Sequence, residues 1–195
     1  MANDSKTICV FLAEGFEEIE AITVVDVLRR AQLPVLTVAV ATGATEASNP
    51  PAITGAHGIP ITADTAIEQL DGASIEALVL PGGMPGTTNL QADATLRDLL
   101  LQFAREGKPI AAICAAPMVL GHLGILDGHR ATIYPGMEAE LGNATAVSDS
   151  VVVDGAITTS RGPATALPFA LALVERFRSA DVAREIAAGM VKHHL

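Results

Sequence analysis

The chain has 195 residues, half of them apolar, with no tryptophan and few aromatics, so its core must be built from Ala, Val, Ile and Leu. A net charge of −10 argues against nucleic-acid binding, which needs clustered Lys and Arg to neutralise phosphates. The two cysteines, Cys9 and Cys114, lie far apart and form no C-x-x-C pair, which excludes a thioredoxin motif or a zinc ribbon.

Free thiols suit a reducing compartment. The polar start MANDSKT lacks the regions of a signal peptide, and no apolar run reaches the length of a membrane span. A cytoplasmic protein is expected, with one domain over residues 1–195.

Thr7 to Leu12 (TICVFL) reads as a strand, and residues 18–31 (EIEAITVVDVLRRA) as a helix. Val35 to Ala41 is a second strand, and the Gly- and Pro-rich stretch 42–65 has room for a hairpin. Ala77 to Leu80 is a buried strand. Residues 89–106 form an amphipathic helix that stops at Gly107. Ile110 to Ile113 is another strand, with a helix from about Ala115. AVSDSVVVDGAITTS reads as two β runs joined at Asp154-Gly155. Helices over about 164–177 and 180–192 close the chain. Apolar strands alternating with helices predict an α/β fold: a doubly wound, mostly parallel sheet with helices on both faces.

In such folds, sites gather beyond the carboxyl ends of the strands. Cys114, in AAICAAP, follows a strand directly and has small neighbours that permit a sharp turn into a helix. Free amides and the dipole at that helix start would favour thiolate over thiol. The alternative is a buried structural cysteine, which is the reading for Cys9. LPGGMPG, 80–86, follows another strand, and its glycines could turn amides toward an oxyanion or form an ordinary turn.

GFEEIE places three acids at a helix start. Glu20 shares a stripe with Val24, Val27 and Ala31, where a carboxylate is costly unless protonated or partnered. Glu17 extends a stripe through Ala21, Val24 and Leu28, whereas Glu18 leads Ile22, Val25 and Arg29. The pattern favours Glu20 but leaves open three solvated first-turn acids. In TTSRGPAT, Arg161 could bind an anion or pair with a carboxylate. His122 lies about two helical turns beyond Cys114 and would point away from it. No histidine adjoins the cysteine.

AAICAAP, VLPGGMPG, AEGFEEIE and TSRGPATA, in this order and spacing, resemble the ThiJ/PfpI superfamily, most nearly the branch of the parkinsonism-associated deglycase and its bacterial relatives. The resemblance spans almost the whole chain. It implies a flavodoxin-like sandwich that forms a homodimer. It implies that Cys114 is the reactive, oxidation-prone thiol and Glu20 the buried acid beside it. Gly83 would supply an oxyanion amide with those of Cys114 and Ala115, and Gly82 would shape that turn.

Two positions depart from the family pattern. Tyr134 stands where the branch often carries a histidine, and a phenol is a poor base at neutral pH. His57 falls near where relatives place an arginine reaching across the dimer. The alanine after Cys114, where the peptidase branch has histidine, counts against proteolysis. The activity so implied is cofactor-free and metal-free conversion of α-oxoaldehydes such as methylglyoxal and glyoxal, or of their early glycation adducts, to 2-hydroxy acids. The rival is a redox sensor or stress chaperone switched by oxidation of Cys114 to sulfinate. A hydrolase or amidase would need another base.

Overall fold

A computed structural model describes residues 6–40 and 52–191. In chain order the main elements begin with β1 (Thr7–Leu12), α1 (Glu18–Arg30), β2 (Val35–Ala39) and the short strands β3 (Ala52–Thr54), β4 (Pro60–Thr62) and β5 (Thr65–Ala66). Next come β6 (Ile75–Leu80), α2 (Gly86–Ala92), α3 (Ala94–Arg105), β7 (Ile110–Ile113) and α4 (Pro117–His122). The chain closes with β8 (Arg130–Ala131), β9 (Thr145–Ala146), β10 (Val151–Asp154), β11 (Ile157–Ser160), α5 (Ala166–Phe177) and α6 (Ala180–Gly189).

Seven strands form one sheet in the order β10-β11-β7-β6-β1-β2-β5, parallel throughout except for β10 against β11. Alternation along β1 explains the layering. Ile8, Val10 and Leu12 face a core shared with Val24 and Leu28 of α1 and Phe169 and Leu173 of α5. Cys9 and Phe11 face the opposite core, with Leu96, Leu100 and Phe103 of α3 and Val119 of α4. Both faces are covered, as a parallel sheet requires, and the expected flavodoxin-like arrangement is present.

The chain departs from the expected elements in local ways. The helix expected over 89–106 is two helices, because the Asp93 carboxylate accepts the Leu96 N–H at 2.7 Å and restarts the helix. At the other end of α3, Gly107 takes a left-handed conformation. Its amide and that of Lys108 turn back to the carbonyls of Ala104 and Phe103, which closes the helix. Asp93→Ala should cost about 1 kcal/mol in chemical denaturation, and an unchanged midpoint would remove the cap from this account.

The hairpin anticipated within 42–65 is β3 paired antiparallel with β4. Residues 41–51 lie outside the described set, as does the end of the strand expected to reach Ala41. The 151–160 hairpin turns at Gly155 and Ala156, one residue beyond the expected joint. The penultimate helix begins at Ala166 rather than about 164, because Pro163–Thr165 forms a separate 3-10 turn, and the last helix ends at Gly189.

Candidate active site

The strand order reverses between β1 and β6, and the loops beyond the carboxyl ends of β1, β6 and β7 converge there. Each loop delivers one part of the site. After β7, Cys114 adopts φ +64°, a left-handed conformation that costs a non-glycine residue roughly 1–3 kcal/mol. Two neighbours hold it there. Its N–H donates to the Ser160 carbonyl at 3.0 Å, and its carbonyl accepts the Tyr134 N–H at 2.8 Å. Pro117 then opens α4 at its first position, where a missing N–H costs nothing. The result is the sharp strand-to-helix elbow expected from the sequence, with Cys114 8 % exposed.

After β6, Gly82 and Gly83 pass close beside the elbow. A Cβ on Gly82 would lie 2.6 Å from the Cys114 Cβ and 2.8 Å from Glu20 Oε2. A Cβ on Gly83, at φ +87°, would collide with the Glu17 amide nitrogen. Only glycine fits either place. The amides of Gly83 and Ala115 point at the Cys114 sulfur.

After β1, α1 brings in Glu20, which is fully buried with Val24, Val27 and Ala31 on the predicted stripe. Its Oε2 accepts the Gly82 N–H at 2.7 Å. Oε1 has no conventional hydrogen-bond partner among the described residues, and the carboxyl interacts with the Cys114 sulfur instead. Burial raises the Glu20 carboxyl from 4.5 to about 7, against the pull of the Gly82 amide and the Cys114 thiol. The nearby Glu17 charge pushes it further up.

The elbow does not by itself favour thiolate. Burial pushes the Cys114 thiol up to about 12, the Glu20 carboxylate adds to this, and the amides of Gly83 and Ala115 only partly offset it. Desolvation outweighs the amides at the helix start. The two groups form a coupled pair, and the proton that Glu20 gains removes its opposition to a thiolate. The buried Cys9 thiol is also raised to about 12, by desolvation alone.

The other candidates surround this pair. Tyr134 is half exposed, with its ring over Gly162. Arg161 donates from Nη1 to the Ser148 carbonyl at 2.8 Å and bears electrostatically on Glu138, so it braces the strand-end loops. Glu17 occupies the N-cap position of α1 without a side-chain cap, its N–H donating to the Gly82 carbonyl at 2.9 Å. His122 points away from the sulfur as expected, bridging Gln91 at 2.9 Å and Glu140 at 2.7 Å.

Sequence reasoning missed Glu18. It is buried rather than solvated, with Oε1 accepting the His57 and Ile59 N–H groups at 2.8 and 3.3 Å and Oε2 facing His57 Nδ1 at 2.9 Å. The one available signal was a histidine between turn residues in GAHG. Glu17, Glu18 and His57 bring ligand-type atoms within 4.8 Å of one another. Hydrogen bonds already occupy both Glu18 oxygens, so the group is closed by its own contacts and is not assigned as a metal site.

A strained cysteine on an elbow, facing a buried carboxyl and a glycine turn in a doubly wound sheet, defines a cysteine-centred α/β sandwich. The chain belongs to the DJ-1/PfpI family, whose model matches residues 6–176. It is 39% identical over 189 residues to Protein dj-1beta of Drosophila melanogaster, covering 96% of this chain and 97% of that one. It is 40% identical over 114 residues to Deglycase PYRAB04690 of Pyrococcus abyssi, covering 57% of this chain and 68% of that one. It spans about half the length of two Arabidopsis thaliana relatives, Protein DJ-1 homologs A and B, 47% and 42% respectively. Oxidized Toxoplasma gondii DJ-1 superposes with a TM-score of 0.88 at 32% identity, covering 97% of this chain and 100% of that one. Among the described residues no helix is long and apolar enough to cross a membrane.

Proposed function

We propose that the protein is a cofactor-free enzyme of the deglycase or glyoxalase III type, active as a cytoplasmic homodimer. Its substrates would be α-oxoaldehydes such as methylglyoxal and glyoxal, or their early adducts with amines and thiols. The single observation that carries this reading is the pairing of Cys114 with a buried Glu20 whose carboxyl titrates at about 7. Such a group can take and return a proton at neutral pH.

Cys114 sulfur adds to the aldehyde carbon while Glu20 takes the thiol proton. The amides of Gly83 and Ala115 hold the developing alkoxide, which then receives that proton to give a hemithioacetal. Glu20, again a carboxylate, removes the C1 hydrogen as a proton while the C2 oxygen gains one, giving an enediol. The proton on Glu20 is then returned to C2 as the C1 hydroxyl gives up its own, which converts the hemithioacetal to a thioester. Water cleaves the thioester to a 2-hydroxy acid and the free thiol. Methylglyoxal plus water thus yields lactate, with no net oxidation.

Lactate formation from methylglyoxal, without glutathione, should reach many turnovers per subunit. It should fall to background in Cys114→Ser, measured side by side. Retained activity in that variant would reject the scheme.

A second reading is favoured by the same amides. They would also hold the oxygens of a Cys114 sulfinate formed by two equivalents of peroxide, as a redox sensor or stress chaperone requires. A folded, reduced wild type that makes no lactate, yet gains two oxygens at Cys114, would select this reading.

A further inference from the structure

The first turn of α1 holds three acids in a small, largely dry volume. Glu20 is fully buried, the Glu18 side chain is 7 % exposed and that of Glu17 is 12 % exposed. Among the described residues no Lys or Arg pairs with any of them. The one basic group that reaches them is His57, with Nδ1 2.9 Å from Glu18 Oε2 and 3.7 Å from Glu17 Oε1.

The imidazole is held there by its turn rather than by burial, since its side chain is 67 % exposed. His57 and Ile59 donate their N–H groups to Glu18, and Ala56 donates to the Phe16 carbonyl at 2.8 Å. A Cβ on Gly55 would run into the Glu18 carboxyl, so the turn lies flat against the acid. Glu17 in turn abuts the glycine turn of the site, through its N–H to Gly82.

We propose that His57 is a positioning residue for the Cys114–Glu20 pair, a counter-ion whose charge offsets Glu17 and Glu18 and so sets the pH at which that pair releases its proton. The inference rests on the pairing of Cys114 with Glu20 described above, not on turnover of any aldehyde. With His57 protonated, the Glu17, Glu18 and His57 group carries one net negative charge. With the imidazole neutral it carries two, and Glu20 must ionise against the larger field.

The other charged groups nearby do not compensate. Glu14 accepts the Thr54 N–H, and Arg161, from the loop after β11, is bonded to Ser148. The loop after β6 contributes only uncharged glycine amides, and Cys114 is the titratable group from the elbow. Glu18 and Glu17 keep the imidazole protonated to higher pH than a free histidine.

The test is the pH dependence of Cys114 alkylation by iodoacetamide, a neutral probe that reads the proton on the pair. The full-length protein is used, with mass spectrometry to confirm that Cys9 is spared. Because the imidazole is solvent-exposed, screening limits the effect to about half a pH unit. His57→Gln should raise the midpoint by that amount. His57→Lys, which restores a fixed positive charge, should bring it back to within about 0.2 unit of wild type. Glu17→Gln should lower the midpoint.

A His57→Gln profile that overlays wild type would overturn the proposal. So would an equal shift in Gln and Lys variants, which would mean that the ring only anchors the turn, or an unmoved midpoint in Glu17→Gln. Absence of lactate production would reject the proposed activity and leave these profiles interpretable.

Discussion

Glu20→Gln should unfold at higher temperature than the wild type at pH 8 while losing Cys114-dependent turnover. The carboxyl is raised from 4.5 to about 7 in the folded protein, so the folded state binds its proton more tightly than the unfolded chain does. The stability this contributes is complete below about pH 4.5 and is lost as the pH climbs through about 7. Two and a half pH units correspond to on the order of 3 kcal/mol. A glutamine has no charge to desolvate and its carbonyl can still accept the Gly82 N–H.

The variant should therefore match the wild type near pH 5 and exceed it at pH 8. For a chain of this size, that gap corresponds to a melting shift of several degrees, about 2–4 °C per kcal/mol. Equal melting temperatures at both pH values would show that the carboxyl does not carry a raised pKa. Under the proposed scheme the wild type keeps an acid that weakens it at neutral pH because an amide could not shuttle a proton.

Gly82→Ala tests the site from the opposite side. The added methyl would meet the Cys114 Cβ at 2.6 Å, Glu20 Oε2 at 2.8 Å and the Ile113 carbonyl at 3.0 Å. None of these is a free chain end. The first belongs to an elbow already fixed by Ser160 and Tyr134, and the last is backbone of a central strand. The methyl must push the glycine turn, the acid or the elbow out of place.

Overpacking of this kind costs roughly 1–3 kcal/mol. Displacing reacting groups by an ångström can cost about 100-fold in rate. Gly82→Ala is expected to fold with a lowered denaturation midpoint and to lose at least about 100-fold in lactate production. A variant with wild-type rate would mean that sulfur, carboxyl and turn do not act together. The alanine is a sharper probe than removal of either reacting group, because both remain present.

Much of this arrangement was legible in the chain because it depends on local patterns. The all-apolar run in TICVFL marked a strand covered on both faces, and the four-three-four spacing from Glu20 set the buried stripe of α1. The small residues around Cys114 allowed the elbow. What escaped depended on distant groups. Glu18 reads as a first-turn acid, and only its contact with a turn nearly forty residues away makes it a buried one. The balance on Cys114 escaped for a related reason: spacing reveals a helix start, but not how much water the fold excludes. The break at Asp93 was local, but the apolar periodicity of 89–106 masked its capping side chain.

The parallel sheet also ties the site to the history of the chain. Glu20, the glycine turn and Cys114 arrive from three separate crossovers, and the bond from Gly82 to Glu20 alone closes a span of 62 residues. Such non-local pairings form late and slowly. Until β1, β6 and β7 lie side by side, Cys114 is an ordinary thiol titrating at about 9.0, open to any electrophile. Once they do, it becomes a guarded one, raised to about 12 and almost wholly buried. A nascent or damaged copy is thus most exposed to indiscriminate modification at the residue that the finished molecule shields.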